Sequence, residues 1–121
     1  MCGIIGIVSK NQVVDRLIDG LERLEYRGYD SAGIATVHSS EIVYSKSTGK
    51  LVALKNKLKQ NPIDGYVGIG HTRWATHGEP IEINAHPHVT TNVAVVHNGI
   101  IENFAEFKDE LLGKGINFNS Q

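Results

Sequence analysis

The feature that most constrains the fold is an apolar run at the start of the chain, residues 2–8. A continuous apolar run of this length predicts a strand that is buried on both faces. The run contains the only cysteine, Cys2, directly after Met1. Without Met1, Cys2 would carry a thiol and a free α-amine, and the amine could take a proton while the sulfur attacks. Position and composition alone favour the alternative, a cysteine packed as a small apolar residue.

Composition and charge narrow the class of protein. The chain has 121 residues, of which 40% are hydrophobic and 21% are charged, with a formal net charge of −1. This length allows one small domain, and the balanced charge gives no sign of a nucleic-acid partner. No apolar run reaches the roughly 18 residues of a membrane-spanning helix, and the start lacks the basic lead of a signal peptide. Because one cysteine cannot form an internal disulfide bond, we expect a cytoplasmic protein.

Apolar periodicity predicts a mixture of helices and strands, and hence the α+β class. The expected elements are a helix from Asn11 with the stripe Val13, Val14, Leu17, Ile18, Leu21 and Leu24, a hairpin of strands 34–37 and 42–44, a helix through Leu51, Leu54 and Leu58, and strands 67–74 and 93–96. A last helix is expected after Asn103, which together with Glu106 forms a variant of the capping box. Its buried stripe would be Phe104, Phe107, Leu111 and Leu112. Residues 116–119 indicate one further strand that has barely begun.

Residues 71–80 hold many hydrogen-bond donors at the end of a predicted strand. Arg73 could bind a carboxylate through two parallel hydrogen bonds, since its planar guanidinium matches the two oxygens. An ordinary surface arginine is an equal alternative on spacing alone. Trp74, the only tryptophan, could form the wall of a site, although core packing is the more usual role.

The Asn98-Gly99 pair supports two interpretations. Between apolar runs, Asn-Gly is the strongest short-range signal for a type I′ hairpin turn, and this signal alone favours the turn. The functional alternative is an oxyanion hole, made by the Asn98 side-chain amide and the Gly99 backbone N–H. The two do not exclude each other, because a tight turn also holds donors rigidly.

The histidines raise the question of a metal site. His86 and His88 form a His-x-His pair, and His71, His77 and His97 are near in sequence. Alternate residues of a strand lie on one side, so two imidazoles could meet there. No acidic or thiolate partner lies at a recognised zinc spacing, and we therefore predict no metal and no other cofactor.

Five segments occur in order along the chain: CGIIG at 2–6, LEYRGYDSAG at 24–33, GHTRWATHGEP at 70–80, NAHPH at 84–88 and VHNGIIEN at 96–103. Together they closely resemble the glutaminase domain of the glucosamine-6-phosphate synthases (glutamine–fructose-6-phosphate transaminases, isomerising). These are class II glutamine amidotransferases of the N-terminal-nucleophile hydrolase superfamily. The resemblance covers the chain from end to end. It is specific, because sister enzymes differ at YRGYDS and HTRWATH.

The resemblance implies roles for the residues that carry it. Cys2, exposed by loss of Met1, is implied to be the nucleophile, with its own amine as base. Asn98 and Gly99 are implied to form the oxyanion hole, and Arg73 to bind the α-carboxylate of glutamine.

Further residues are implied to bind or enclose the glutamine. Trp74, Thr76 and His77 belong to the loop that closes over it in this family. Arg27 is implied to lie close to the nucleophile. Together, these residues favour the interpretation of Cys2 as a nucleophile over its interpretation as a buried apolar residue.

The resemblance also implies an architecture and its extent. The family fold is a four-layer αββα sandwich, and residues 1–121 would form only the N-terminal portion of the glutaminase domain. The carboxylate that holds the glutamine α-amine would follow Gln121, and the sugar isomerase domains that use fructose 6-phosphate would be absent. We therefore expect the isolated chain to be weak or inactive, and its incomplete sheet to favour a homo-oligomer.

Three alternatives stay open. The chain could be a non-catalytic scaffold or assembly module that keeps only the fold. It could belong to a sister class II enzyme such as amidophosphoribosyltransferase, although the Arg27 and Arg73 segments fit that family poorly. A histidine-based metal binder is the third.

Overall fold

The protein forms an antiparallel sheet with helices on one face, in a computed structural model that describes residues 2–76 and 78–120, apart from the side chain of residue 27. The elements, in chain order, are β1 (Gly3–Val8), α1 (Val14–Leu24), a 3₁₀ turn (Glu25–Arg27), β2 (Ser31–His38), β3 (Glu41–Thr48), α2 (Leu51–Gln60), β4 (Val67–Arg73), a 3₁₀ turn (Glu82–Asn84), β5 (His88–Val89), β6 (Ala94–Val95) and α3 (Phe104–Gly113). None of the helices within the described residues combines the length and the apolarity needed to cross a membrane.

The sheet has four strands in the order β1-β4-β2-β3, and every neighbouring pair is antiparallel. The predicted hairpin is confirmed as β2 and β3, and both strands are longer than expected. Ser39 and Ser40 make its two-residue turn with φ values of 47° and 66°. Two successive residues with positive φ are the geometry that matches the twist of a tight hairpin.

The hydrophobic core lies between the sheet and helices α1 and α2. Leu17 and Leu21 of α1 and Leu54 of α2 are fully buried, and they pack in the same cluster as Ile34 of β2. This confirms the apolar stripes predicted for both helices. The close approach of α1 depends on glycine in β4, because a Cβ atom on Gly68 would lie 2.7 Å from Leu17 Cδ1.

Residues 84–98 lie over the opposite face of the sheet, against β2 and β4. A Cβ atom on Gly33 would come within 2.2 Å of the His86 carbonyl oxygen, and the Lys46 ammonium donates to the Ala85 carbonyl over 2.9 Å. This segment does not extend over all of β1, where Ile4 is 44% and Val8 is 82% exposed. The prediction that β1 is buried on both faces is therefore wrong for the described residues.

The C-terminal third differs from the prediction in several places. The strand expected at 93–96 is only the short β6, and the structure forms no strand at 116–119. Asn103 precedes α3 but makes no side-chain hydrogen bond to it. The buried stripe predicted for α3 is wrong, since the helix has no buried residue. Apolar periodicity identified the helix correctly, but it cannot say whether a partner layer covers the stripe.

Candidate active site

Cys2 lies at the beginning of β1, and the register of the sheet determines what surrounds it. Gly3 pairs with Thr72 of β4, and the Gly3 backbone N–H donates to the Thr72 hydroxyl over 3.1 Å. One residue earlier, the Cys2 sulfur accepts from the Trp74 backbone N–H at 3.2 Å. The thiol is half-buried and therefore held at the point where β4 leaves the sheet.

Asn98 reaches the same point from the segment that crosses the second face. Its Nδ2 donates to the Cys2 carbonyl over 3.2 Å, and its Oδ1 lies 2.8 Å from His71 Nε2. Gly99 follows with a φ of 152°, and a Cβ atom there would meet the His97 ring at 3.0 Å. No strand follows Gly99 within the described residues up to 120, so the predicted type I′ hairpin turn is wrong there, while the pair lies beside Cys2.

A cavity of ≈ 250 Å³ opens next to the sulfur, and most of the candidate residues line it. Its lining comprises Cys2, Arg73, Trp74, Thr76, Asn84, His86, His88, His97, Gly99, Ile100 and Ser120. Arg73 is only 7% exposed, so it is not an ordinary surface arginine, and Trp74 is 53% exposed, so it is not core packing. The structure thus brings a thiol, a buried guanidinium and an indole ring to one small polar cavity.

Two of the candidate residues cannot be placed in this cavity. His77 lies outside the described residues, and so does the side chain of Arg27, whose backbone ends the 3₁₀ turn Glu25–Arg27. Met1 also lies outside them. The roles implied for these residues stay predictions.

Asp30 holds the segment after β4 in position, and it is not among the site residues predicted from the sequence. Its carboxylate accepts from the Ala75 backbone N–H, and its own N–H donates to the Arg73 carbonyl over 2.7 Å. The other carboxylate oxygen is buried with no partner in the described structure. Since a buried carboxylate needs donors, its position directly before the buried start of β2 was the signal that could have identified it.

Three imidazoles form a cluster at the back of the cavity. The rings of His71 and His86 stack with centroids 4.2 Å apart, and the His86 and His88 rings are 4.4 Å apart. Burial, assisted by the charges of His71 and His88, lowers the pKa of His86 to about 3. Burial also lowers the pKa of His71, against the opposing effect of its hydrogen bond to Asn98.

The cluster is therefore neutral at neutral pH, and Arg73 is the buried cation of the site. Among residues 2–76 and 78–120, no group of three or more His, Cys, Asp or Glu side chains has an arrangement that could hold a metal ion. A neutral imidazole wall beside a guanidinium and a thiol suits a small ligand that has a carboxylate and a second polar group.

Sequence comparisons connect this geometry to a known enzyme. The chain is 60% identical over all its 121 residues to glutamine–fructose-6-phosphate aminotransferase [isomerizing] of Mesorhizobium japonicum. It is 60% identical to the enzyme of the same name from Bartonella quintana and 58% identical to that of Brucella abortus. The chain is a homologue of the N-terminal part of this enzyme. It spans about one fifth (20%) of the length of these relatives, and no family model matches it.

Solved structures show the same fold. A glutamine phosphoribosylpyrophosphate amidotransferase from B. subtilis, complexed with ADP and GMP, covers 98% of the chain with a TM-score of 0.80 and 25% identity. A structure of the allosteric regulatory enzyme of purine biosynthesis covers 98% with a TM-score of 0.81 and 26% identity. In both, the chain corresponds to 26% of the solved chain. The predicted N-terminal-nucleophile amidotransferase fold, present in part, is confirmed.

Proposed function

We propose that this chain carries the nucleophile of the glutamine-hydrolysing half-reaction of a glutamine–fructose-6-phosphate aminotransferase, and that residues 1–121 alone catalyse this half-reaction only weakly. The observation that carries the proposal is that the Cys2 sulfur shares one cavity with Arg73, Thr76 and Gly99. A nucleophile, a carboxylate-binding cation and an oxyanion donor are the groups that amide hydrolysis of an amino acid side chain requires. The homologues named above support the choice of glutamine as the amino acid.

The reaction begins with the Cys2 thiol. After removal of Met1, the free α-amine of Cys2 takes the thiol proton, and the sulfur forms a bond to the side-chain carbonyl carbon of glutamine. The carbonyl electron pair moves to oxygen, which becomes an oxyanion. The Asn98 Nδ2, now 3.2 Å from the Cys2 carbonyl, and the Gly99 N–H would donate to that oxygen.

Collapse of this intermediate breaks the carbon–nitrogen bond. The Cys2 ammonium returns its proton to the leaving nitrogen, ammonia departs, and a γ-glutamyl thioester remains on the sulfur. A water molecule, deprotonated by the same amine, then attacks the thioester. Glutamate leaves and the thiol is regenerated, so the balance is glutamine and water to glutamate and ammonia.

Substrate orientation depends on the buried arginine. Arg73 would hold the α-carboxylate through its planar fork, while Trp74 and Thr76 line the cavity around the rest of the substrate. By the family resemblance, His77 would complete the closing loop and Arg27 would lie near the nucleophile. The resemblance assigns none of residues 1–121 to the α-amine of glutamine.

The two groups of relatives point to different reactions after hydrolysis. The solved neighbours are 25–26% identical, whereas the aminotransferases are 58–60% identical over the whole chain. The higher identity favours transfer of ammonia to fructose 6-phosphate in separate isomerase domains over transfer to phosphoribosyl pyrophosphate. Residues 1–121 would then be the N-terminal portion of a glutaminase domain, in a cytoplasmic homo-oligomer whose state light scattering would measure.

Intact-mass spectrometry tests the half-reaction. The protein is weighed before and after exposure to 6-diazo-5-oxonorleucine, an electrophile that mimics glutamine. We expect a mass without Met1 and a single adduct that peptide mapping locates on Cys2. An adduct elsewhere, or none, would contradict the assignment of the nucleophile.

Two variants separate chemistry from binding. Cys2→Ala should abolish glutamate release, because no other thiol is present in the chain. Arg73→Lys keeps the charge but loses the fork, so it should raise the KM for glutamine about tenfold or more while the kcat changes less. Glutamate release that survives in Cys2→Ala would refute the mechanism.

A further inference from the structure

The structure assigns a positioning role to His71: it fixes the direction of the Asn98 amide, so that Nδ2 faces the reacting carbonyl. His71 is fully buried in the middle of the sheet and does not line the cavity described above. It acts through Asn98 and does not touch the substrate. The inference rests on the proposed function, because it concerns the oxyanion hole of that reaction.

The neighbours of the His71 imidazole determine its tautomer. His71 Nε2 faces two atoms, the His97 carbonyl oxygen at 3.2 Å and Asn98 Oδ1 at 2.8 Å. A backbone carbonyl oxygen can only accept a hydrogen bond. Nε2 must therefore carry the hydrogen, since an unprotonated Nε2 would direct its lone pair at the lone pairs of His97.

The tautomer then determines the orientation of the amide. A donating Nε2–H requires an oxygen from Asn98, so Oδ1 faces His71 and Nδ2 faces the opposite way. Nδ2 donates to the Cys2 carbonyl over 3.2 Å. The reversed amide would place its NH₂ against the imidazole N–H and its oxygen against the Cys2 carbonyl, which are two repulsive contacts.

Such an orientation matters because an amide has one end that stabilises an oxyanion and one end that repels it. An oxyanion hole works when its donors are already aligned before the negative charge develops. Rotation of Asn98 by half a turn would present Oδ1 to the oxyanion. The Nε2–H of His71 excludes this reversed orientation of the amide. Because His71 is buried within the sheet, it does so without any movement of substrate or water.

The imidazole is itself held rigidly. Its ring stacks on His86 with centroids 4.2 Å apart and an angle of 20° between the planes, and His86 Nδ1 accepts from the His97 N–H at 3.4 Å. The stack thus ties β4 to the residue that precedes Asn98. Burial keeps the pKa of His71 below its ordinary value, so the ring stays neutral.

Steady-state kinetics on the intact protein test this role with two substitutions. His71→Met removes the donor but keeps an apolar side chain of similar size, whereas His71→Gln keeps an N–H donor at a position near that of Nε2. We expect His71→Met to lower the kcat for glutamine hydrolysis roughly tenfold to hundredfold, less than the 10²–10³ that loss of an oxyanion donor costs. The KM should change by less than about threefold, and His71→Gln should restore most of the rate.

A double-mutant cycle separates positioning from general damage to the fold. In an Asn98→Ala background, His71→Met should reduce the kcat by less than about threefold more, because its effect passes through Asn98. The rate at which iodoacetamide alkylates Cys2 should be the same in His71→Met as in the wild type, because this reaction forms no oxyanion.

Each alternative result has a definite meaning. Additive losses in the double variant, or equal losses in His71→Met and His71→Gln, would overturn the positioning role while leaving the proposed function intact. An unchanged kcat in His71→Met would do the same. A wild-type protein that hydrolyses no glutamine and forms no 6-diazo-5-oxonorleucine adduct on Cys2 would instead refute the proposed function, and the inference with it.

Discussion

The two faces of the central sheet differ in what covers them. On one face, α1 and α2 enclose leucines that are fully buried, among them Leu17 and Leu54. On the other face, carbonyl groups and imidazoles of residues 84–98 lie against the strands. The helix that follows, α3, has no buried residue in the described structure. The first face stabilises the fold, and the second provides the polar groups of the site.

This division explains which features the sequence could predict. The apolar stripes of α1 and α2 were correct because both helices pack on the sheet, where the hydrophobic effect and the periodicity agree. Phe107 has the same periodicity but is 53% exposed, since a stripe does not reveal whether a covering layer is present. Asn98-Gly99 carried a strong local signal for a turn, which long-range contacts with residues 2 and 71 overrode.

The family resemblance named most of the residues that the structure brings to the cavity, while their roles stay predictions and their packing could not be read from the sequence. Arg73 and Trp74 were ambiguous from spacing, because burial of one and exposure of the other are tertiary properties. His71 could have been found, since it alternates with Arg73 on β4 and therefore lies on the same face. Its contact with Asn98 joins residues 27 positions apart, which no local pattern encodes.

The largest expected effect tests whether the helix-covered face carries the stability. Leu17→Ala should lower the free energy of unfolding by about 2–5 kcal/mol, because it leaves a cavity in a fully buried core. Phe107→Ala, on the exposed helix α3, should change it by about 0.5 kcal/mol or less. Urea unfolding followed by circular dichroism measures both. Equal losses of unfolding free energy in the two variants would show that both faces contribute equally to stability.

The next effect tests how closely residues 84–98 must approach the sheet. Gly33→Ala should cost about 1–3 kcal/mol and impair glutamine hydrolysis, because the new Cβ would lie 2.2 Å from the His86 carbonyl oxygen. Gly6→Ala is the matched control, since the nearest atom to its Cβ is 4.0 Å away. Thermal unfolding and glutamate release are the measurements. A harmless Gly33→Ala would mean that the second face is loosely packed.

A smaller effect is expected from acid, through a buried histidine of the second face. His86 has a pKa of about 3 in the folded protein, against an ordinary value of 6.5, so below pH 6.5 the unfolded chain binds a proton that the folded chain does not. Stability present above that pH should decline as the pH falls toward 3, by roughly 1 kcal/mol after allowance for the partial exposure of the ring.

Urea midpoints at pH 7 and pH 4.5 measure this decline. His86→Gln removes the titrating group, so this variant should lose less stability on acidification than the wild type. An identical decline in both proteins would exclude His86 as the source.

The smallest effect concerns an ion pair that joins helix α2 to the segment covering the second face. Lys57 of α2 donates to the Glu82 carboxylate over 2.6 Å and to the Lys46 carbonyl over 2.7 Å. Because both charged side chains are more than one-third exposed, at 38% and 56%, Glu82→Gln should cost only about 0.2–1 kcal/mol. Raising the salt concentration should reduce the difference in urea midpoint. A larger loss would indicate that the pair anchors residues 82–85 to the helix layer.

The antiparallel pairing of β1 with β4 also determines when the site can exist during synthesis. Cys2 is synthesised well before its partner strand, which begins at Val67, and Asn98 follows 96 residues after Cys2. At about 5–20 residues per second, that separation corresponds to roughly 5–20 s of translation. Until Asn98 has been made, the groups around Cys2 are incomplete, even after β4 has become available to pair with β1. The thiol is therefore open to other molecules for seconds before the fold encloses it.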